Sequence, residues 1–319
     1  MNLKTIEVPI PNSMELTVLT PVFNEEAGLQ AFYDRTVSVL HRMGCSYELL
    51  IVNDGSTDHS LDILRRLSAQ DPNLRYLSFS RNFGHQVAVS AGLDHCKGKA
   101  VVIIDADLQD PPELIPNLYE RYKEGYQVVY AKRNSRAGES VLKKSTAGLF
   151  YRILSKMTHV NIPLDTGDFR IIDHRVVEVL RKMPEKGKFI RGQIAWAGFS
   201  QTHLLYDRDE RHAGETGYTF RKMVRLAIDG ITAFSNVPLK FATVSGFIVS
   251  LITFIIILYT LYSRFIIRDY VPGWTSIMLA VLFIGGVQLI CIGIIGEYIS
   301  RISDNVRDRP LYIIEEKNF

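Results

Sequence analysis

The chain has 319 residues and a nearly balanced charge, with 37 basic and 34 acidic side chains and a formal net charge of +3. Bulk charge therefore gives no case for nucleic-acid binding. The cysteines, Cys45, Cys96 and Cys291, are scattered and match neither a disulfide framework nor a metal-binding spacing. The first residues lack the charged, apolar and small-residue pattern of a signal peptide, so we expect none. The length suits one large domain with an appendage.

Strand and helix patterns alternate over the N-terminal part of the chain. The predicted strands are 15–22, 47–52, 74–80, 101–104, 126–131 and 200–206, and helices are predicted to end near Met43 and to cover 59–69, 85–96 and 112–124. This alternation predicts a doubly wound, mostly parallel α/β sheet. Neither G-x-G-x-x-G after the first strand nor a P-loop is present, which argues against both kinds of nucleotide site.

The turns after the other strands are polar, and each has two interpretations. Asn24 is predicted to cap the first helix with Glu25 in its first turn, or else this acidic turn contacts a nucleotide. Asp54 belongs to an ordinary turn or accepts a hydrogen bond from a base. Lys132 and Arg133, after the fifth strand, form a solvated turn or neutralise phosphate charge.

Two aspartates, Asp105 and Asp107, follow directly after the apolar run 101–104. Such a run predicts a buried parallel strand, and open α/β sheets bind ligands at the carboxyl ends of their strands. Two carboxylates this close repel each other unless a cation lies between them, and oxygen ligands suit Mg²⁺ or Mn²⁺. An isolated D-x-D is more often a solvated turn, but the preceding strand favours a cation site here. His85 has no second His or Cys partner, so we predict a structural or substrate-lining role for it.

Three features lie between the sheet and the C-terminal region. Residues 139–160 have the pattern of a basic amphipathic helix, which would lie on an anionic membrane surface or pack on the sheet. Asp168 follows a glycine and is the candidate catalytic carboxylate. The charged stretch 206–218 is either a solvated loop or a mobile loop that closes on phosphate through Arg208 or Arg211.

The stretches 241–262 and 274–296 carry no charge. At about 1.5 Å per residue, each is long enough to cross a hydrocarbon core of about 30 Å, and together they predict an antiparallel membrane hairpin. Basic residues are more numerous on its flanks than in its connection, which places both chain ends in the cytoplasm. They are Arg221, Lys222, Arg225 and Lys240 before it, Arg301, Arg307, Arg309 and Lys317 after it, and Arg264 and Arg268 within the connection.

The motifs occur in a recognisable order over nearly the whole chain. They are P-V-F-N-E-E from Pro21, V-N-D-G-S-T-D from Val52, R-N-F-G from Arg81, D-A-D-L-Q-D-P-P-E from Asp105, T-G-D-F-R from Thr166, R-H-A-G-E-T-G-Y from Arg211 and G-E-Y-I-S-R-I from Gly296. This order resembles family 2 glycosyltransferases of the GT-A type. It is most similar to the polyprenyl-phosphate glycosyltransferases, which include dolichol-phosphate mannose synthase and the bacterial bactoprenol glucosyltransferases.

The resemblance implies a cytoplasmic GT-A catalytic domain over 1–215 and a juxtamembrane amphipathic helix over 216–240. It further implies two transmembrane helices within 241–300, at about 241–262 and 274–298, and a cytoplasmic tail over 301–319. The implied reaction is inverting, metal-dependent transfer of a hexose to a polyprenyl phosphate such as undecaprenyl phosphate, at the cytoplasmic face of the inner membrane. Glucose from UDP-glucose is the favoured donor, with mannose, N-acetylglucosamine and aminoarabinose as alternatives.

The resemblance also assigns roles to individual residues. Asp168 and Asp107 are expected to be catalytic, and Arg170 and Arg211 to contact the acceptor phosphate. The expected nucleotide-sugar contacts are Pro21, Phe23, Glu25, Asp54, Asp105, Lys132 and Arg133, and the expected Mg²⁺ or Mn²⁺ ligands are Asp105, Asp107 and Gln109. Because an acceptor phosphate with a second pKa near 6 is already largely ionised at neutral pH, we predict that Asp168 orients a substrate rather than acting as a base.

Two other classes of protein were weighed. A processive polysaccharide synthase would carry Q-x-x-R-W, which is absent from the sequence, and usually more membrane spans. A membrane-tethered protein that binds nucleotide sugars without catalysis is disfavoured by the intact Asp105, Asp107 and Asp168. Glycine faces in the hairpin and an apolar tail strand over 311–314 predict a homo-oligomer.

Overall fold

The computed structural model describes residues 14–133, 166–206, 237–262 and 273–319. These residues belong to two compact units. The larger contains the described residues up to 206 together with 309–319, and the smaller contains 237–262 and 273–308. The predicted helices over 139–160 and 218–234, and the charged loop with Arg211, lie outside the described residues.

The larger unit is built on an eight-stranded sheet with helices on both faces. Its strands are β1 (Leu16–Val22), β2 (Tyr47–Asn53), β3 (Leu74–Phe79), β4 (Ala100–Ile103), β5 (Val128–Arg133), β6 (Thr166–Asp173), β7 (Gln201–Tyr206) and β8 (Ile314–Lys317). Its helices are α1 (Leu29–Met43), α2 (Ser60–Ser68), α3 (His85–His95), a 3₁₀ turn (Pro112–Leu114), α4 (Ile115–Lys123), α5 (His174–Arg181) and α6 (Ile190–Ala197). The six predicted strands are all present, with ends within two residues of the prediction.

The strand order is β7-β5-β6-β4-β1-β2-β3-β8. Strands β1 to β4 run parallel where they pair, and β5 runs parallel to β7. Only two of the described strands run against their neighbours, β6 between β4 and β5, and β8 at the edge beside β3. The predicted mostly parallel α/β sheet is therefore confirmed, although β6 was not predicted as a strand.

Apolar side chains fill a layer on each face of this sheet. Helices α1, α2 and α4 cover one face, and α3, α5 and α6 cover the other. β6 contributes to both layers, with Phe169 and Ile171 on the first face and Ile172 on the second. A strand that is buried on both faces lacks the polar alternation of a surface strand. This burial explains why the central strands read as nearly continuous apolar runs.

A charged pair is buried between β2 and β3. Glu48 of β2 is 1% exposed and accepts hydrogen bonds from Thr17 Oγ1 and Lys97 N, each at 2.6 Å. It also forms an ion pair with Arg75 of β3. A buried carboxylate needs such partners because desolvation otherwise outweighs any packing gain.

The smaller unit consists of two long helices, α7 (Val237–Tyr262) and α8 (Trp274–Val306). Cys291 Sγ of α8 lies 3.7 Å from the carbonyl oxygen of Ala242, so the start of α7 packs beside the C-terminal half of α8. By length and composition, two segments within these helices could cross a membrane: Val237–Ile256, with a mean hydropathy of 2.0, and Phe283–Val306, with 1.6. Large apolar side chains face outwards on both helices, among them Phe247 (76% exposed) and Leu289 (72%). Such a surface matches lipid better than water.

The C-terminal strand belongs to the chain's own sheet. The sequence predicted an apolar strand over 311–314 for self-association, whereas the structure has β8 at Ile314–Lys317, paired antiparallel with β3 of the same chain. Because β8 follows α8, the chain leaves the sheet before the two helices and returns to it after them.

Candidate active site

The predicted site residues converge at one edge of the sheet. β1, β2, β3 and β4 are parallel, so the residues that follow them meet at their shared carboxyl edge. β6 is antiparallel, so its first residues, including Asp168, come to the same edge. Ile103 of β4 pairs with Arg170 of β6, which places Asp168 beside the residues that follow β4.

Asp168 lies at the centre of a cluster of cations. Its Oδ1 accepts a hydrogen bond from Arg191 Nε at 2.7 Å, and its Oδ2 lies 3.0 Å from His85 Nε2. Arg170 Nη2 lies 3.7 Å from Oδ1. Burial alone would raise the pKa of Asp168, but Arg191, His85 and Arg170 hold this pKa well below its usual range. The carboxylate is therefore ionised throughout the neutral range, and it is a weak proton acceptor.

The pKa values of the cationic members of this cluster are shifted as well. Burial lowers the pKa of His85, but the hydrogen bond to Asp168 and the charge of Asp105 raise it to about 9, so the imidazole carries a charge at neutral pH. Burial lowers the pKa of Arg170 to about 10. The Arg170 side chain is 5% exposed, and its guanidinium also donates to the carbonyl oxygens of Gly167 and Asp168. The structure thus places Arg170 under the site, and His85 and Arg191 at its surface.

Asp105 has a carboxylate oxygen that fits a cation. Its Oδ1 is buried without a hydrogen-bond partner and lies 3.8 Å from His85 Nε2. Burial and the neighbouring carboxylates Asp168, Asp107 and Asp110 raise the pKa of Asp105 to about 6. A divalent cation stabilises a buried carboxylate oxygen that has no hydrogen bond and lies among other carboxylates. Among the described residues, no three His, Cys, Asp or Glu side chains form a ready-made cation site.

The loop that carries Asp105 is held tightly. Leu108 adopts a left-handed conformation (φ 57°), and Gln109 N donates to Asp107 Oδ1 at 3.1 Å. Asp110 is buried and accepts a hydrogen bond from the Tyr206 hydroxyl at the end of β7. Gln109 is itself nearly buried. A left-handed non-glycine residue is strained and persists only when its surroundings hold it, as these bonds do.

The turns after β1 and β2 are bonded to each other. Asn24 adopts a left-handed conformation (φ 56°), and its Oδ1 accepts a hydrogen bond from Thr57 N at 2.8 Å. The prediction that Asn24 caps the first helix is wrong: α1 begins at Leu29 after Gly28 and has no acidic residue in its first turn. The side chain of Asn24 instead accepts a hydrogen bond from the neighbouring turn. Phe23 is 44% exposed at this edge, where its ring is accessible to a ligand.

Asp54 joins the turn after β2 to the turn after β3. It is 2% exposed, and its two oxygens accept hydrogen bonds from Phe83 N at 2.7 Å and Gly84 N at 2.9 Å. Burial raises the pKa of Asp54 despite these bonds. Gly55 permits the close approach, because a Cβ there would lie 2.3 Å from the Arg81 carbonyl carbon. The structure therefore shows Asp54 as a clamp on the start of α3, and its contact with a nucleotide stays a prediction.

The remaining predicted residues lie at the same edge or outside the described part. Pro21 is in β1, and Glu25 follows it in the turn. Lys132 and Arg133 end β5, and Lys132 pairs in register with Thr166 of β6. From the sequence, no role was assigned to Arg191. An isolated arginine in the apolar stretch 189–199 was the available signal, because a charge in such a setting needs a partner.

Comparison with known proteins defines the class. Residues 17–181 match the model of glycosyl transferase family 2, and residues 237–302 match the model of the GtrB C-terminal hairpin. The chain belongs to glycosyltransferase family 2 and carries the GtrB-type hairpin. The sheet described above is thus a GT-A fold, and the protein is a glycosyltransferase.

Curated relatives match almost the whole chain. An uncharacterized glycosyltransferase of Bacillus subtilis is 48% identical over 95% of this chain and 94% of its own length. A bactoprenol glucosyl transferase of Shigella phage SfII is 39% identical over 96% of this chain and 99% of its own. Among solved structures, glucosyl-3-phosphoglycerate synthase of Mycobacterium tuberculosis, in complex with Mn²⁺, UDP and glucosyl-3-phosphoglycerate, has a TM-score of 0.46 at 18% identity, over 69% of this chain and 78% of that one.

Proposed function

We propose that this glycosyltransferase transfers glucose from UDP-glucose to a polyprenyl phosphate such as undecaprenyl phosphate. The observation that carries the proposal is the full-length similarity to proteins named bactoprenol glucosyl transferase, which extends through both the catalytic sheet and the hairpin. A polyprenyl acceptor also gives the hairpin a role. The acceptor's tail stays in the lipid, so an anchored enzyme meets its phosphate at high local concentration.

The donor side is proposed to use the acidic edge after β4. The orphaned Asp105 oxygen supports Asp105 and Asp107 as ligands of Mg²⁺ or Mn²⁺. Such a cation, when bound, neutralises charge on the departing diphosphate. Phe23, beside the acidic turn of Glu25, is the exposed ring available to a nucleotide base. Transfer is proposed as one in-line displacement at the sugar C1, with inversion.

The acceptor side is proposed to use the Asp168 cluster. A phosphate with a second pKa near 6 arrives largely ionised, so no general base is required. An ionised phosphate is repelled by Asp168 unless cations lie between them. Arg191 and His85 are those cations: Asp168 holds both, and their side chains are 30% and 42% exposed. We therefore propose that Asp168 is an organiser that fixes the two phosphate-facing groups.

The shared sheet and the charge distribution support the proposed membrane topology. β1 to β7 and β8 belong to one sheet, so the chain must return to the side of the membrane it left. Two spans meet this condition. The excess of basic residues on the hairpin's flanks supports a cytoplasmic location for this side, with the protein in the inner membrane.

Two alternatives share the same observations. Another sugar, namely mannose, N-acetylglucosamine or aminoarabinose, would use the same chemistry. Binding of nucleotide sugar without catalysis would use the same donor edge.

One assay separates these possibilities. Purified protein in detergent is mixed with undecaprenyl phosphate and a panel of labelled UDP- and GDP-sugars, with and without Mg²⁺ or Mn²⁺. Cation-dependent label in the lipid from UDP-glucose alone is the expected result, and Asp105→Asn serves as the matched loss-of-function control. Label from a different sugar corrects the donor. Donor binding without labelled lipid contradicts the proposal and favours the non-catalytic alternative.

A further inference from the structure

The last residues of the chain dock on the strand and turn that lead into the active site. β8 pairs with β3, and Ser80 N donates to the carbonyl oxygen of Ile313 at 3.1 Å. The Tyr312 ring stacks on Phe79 at a centroid distance of 5.1 Å, and its hydroxyl donates to Asp94 Oδ2 at 3.0 Å. The tail therefore contacts β3 at the point where that strand ends.

The far end of the tail is also fixed. Asn318 Oδ1 accepts a hydrogen bond from Tyr76 N at 2.8 Å, and Asn318 Nδ2 donates to the carbonyl oxygen of Leu74 at 3.0 Å. Glu316 pairs with Arg65 of α2. Because hydrogen bonds and an ion pair extend along the whole strand, the tail is a docked part of the sheet rather than a frayed terminus.

The turn beside the tail, residues 80–85, supplies three hydrogen-bonding groups to the site. Phe83 N and Gly84 N bind the Asp54 carboxylate, and His85 binds Asp168. Gly84 has a φ of 105°. Because glycine has little conformational preference of its own, the neighbouring contacts must hold the backbone in this conformation. A shift of this turn would move His85 relative to Asp168.

A continuous row of rings connects the tail to this turn. Tyr312 stacks on Phe79, and Phe79 meets Phe83 edge to face at 5.6 Å. Arg81 covers the Phe83 ring, with its guanidinium carbon 3.9 Å from the ring centroid. Phe79 is buried, so its neighbours would shift to fill part of a void left beside it.

We propose that Tyr312 is a positioning residue for the transfer reaction: through Phe79 and Phe83 it holds the 80–85 turn, and with it His85, in the geometry the acceptor site requires. In this role Tyr312 acts through its neighbours and not by contact with substrate. In the sequence, only residues 307–311 separate Tyr312 from the end of α8. The inference rests on the proposed function for its kinetic consequence, whereas its structural consequence stands without it.

The test uses the full-length protein in lipid nanodiscs. Tyr312→Ala removes the stacking ring, Tyr312→Phe keeps the ring and removes only the bond to Asp94, and Ile313→Ala is the matched control. The Ile313 side chain is 54% exposed, and its backbone bond to Ser80 remains in the variant. Two quantities are measured: kcat for transfer, and amide hydrogen exchange of the peptide that covers 80–86, with a peptide from β4 as the internal reference.

Tyr312→Ala is expected to lower kcat about tenfold and to speed exchange in 80–86 without changing exchange in β4. Tyr312→Phe is expected to keep at least half of the parent kcat, and Ile313→Ala to match the parent in both measurements. Unchanged exchange in 80–86 in Tyr312→Ala overturns the inference, as does an equal loss in Ile313→Ala. A parent protein that transfers no sugar would refute the proposed function, but the exchange measurement would still decide whether Tyr312 holds the turn.

Discussion

Replacing Asp168 with asparagine distinguishes an organising carboxylate from a catalytic base. The amide keeps the shape and one acceptor oxygen but removes the charge that holds Arg191 at 2.7 Å and His85 at 3.0 Å. Hydrogen bonds between charged groups contribute about 1.5–3 kcal/mol each. A loss of about 2.7 kcal/mol in the transition state corresponds to a rate about 100-fold lower. We therefore expect kcat to fall by about two orders of magnitude.

The pH profile provides the decisive comparison. Arg191 and His85 keep the pKa of Asp168 far below neutrality, so its ionisation does not change between pH 6 and 9. The variant should be slower than the parent at every pH, and its deficit should widen as pH rises, because loss of the Asp168 charge lowers the pKa of His85 and the imidazole loses its charge sooner. The measurement is single-turnover transfer to undecaprenyl phosphate. A deficit that disappears at high pH would mean that only a proton acceptor had been lost, and the organising role would be refuted.

Three further predictions concern the turns, the sheet and the cation. Gly55→Ala introduces a Cβ 2.3 Å from the Arg81 backbone at a φ of +65°, so both thermal stability and transfer should fall. Gly44→Ala is the control for backbone conformation alone, because Gly44 has a φ of +63° and open space around it. Both variants are measured in thermal unfolding and transfer assays. Arg75→Met leaves Glu48 buried without its cation and should cost about 3 kcal/mol in denaturant unfolding of the full chain, since breaking a buried ion pair is expensive; the exposed Arg66→Met should cost under about 0.5 kcal/mol. Chelation should abolish transfer, Mn²⁺ or Mg²⁺ should restore it, and Asp105→Asn should raise the cation concentration needed at least about tenfold.

Each of these predictions has a result that contradicts it. Equal effects of Gly55→Ala and Gly44→Ala would mean that contact with Arg81 is unimportant. Unchanged stability in Arg75→Met would mean that Glu48 is satisfied by Thr17 and Lys97 alone. Full transfer in excess chelator would remove the proposed role of Asp105 in cation binding.

The parts of the fold that could be predicted depend on local patterns. Each parallel strand is an apolar run bounded by a polar turn, and the cation candidate is adjacent in sequence to the strand that presents it. Asp105 and Asp107 could therefore be assigned to a sheet edge from spacing alone. The two uncharged helical stretches were equally visible, because membrane-spanning length is a property of a single segment.

The parts that could not be predicted depend on pairing between distant segments. β6 lies between β4 and β5 against the direction of both, and this placement brings Asp168 beside His85, which lies 83 residues earlier in the chain. β8 pairs with a strand whose Tyr76 is 240 residues before Glu316. Asn24 has the pattern of a helix cap, but Thr57 of a neighbouring turn takes its side chain. Local propensity cannot rank such competing partners.

The assignment of roles also depends on burial, which the motifs do not reveal. From the sequence, only Arg170 is a candidate phosphate contact, because it lies within the T-G-D-F-R motif and Arg191 lies in no recognisable motif. In the structure Arg170 is enclosed by backbone carbonyl oxygens, whereas Arg191 reaches Asp168 from the first turn of α6. We therefore expect Arg191→Lys to impair acceptor use, measured as acceptor KM, more than a change at an exposed arginine such as Arg66.

The central claim is tested most directly by mass spectrometry of the lipid product. Purified full-length protein is incubated with undecaprenyl phosphate, UDP-glucose and Mg²⁺ or Mn²⁺, and the lipid is extracted and analysed for mass and anomeric configuration. The account predicts a lipid that has gained one hexose unit, with the configuration at C1 inverted from that of the donor, and no product without the cation. A lipid that gains a sugar phosphate, retains the donor configuration, or stays unmodified while UDP-glucose is bound would contradict it.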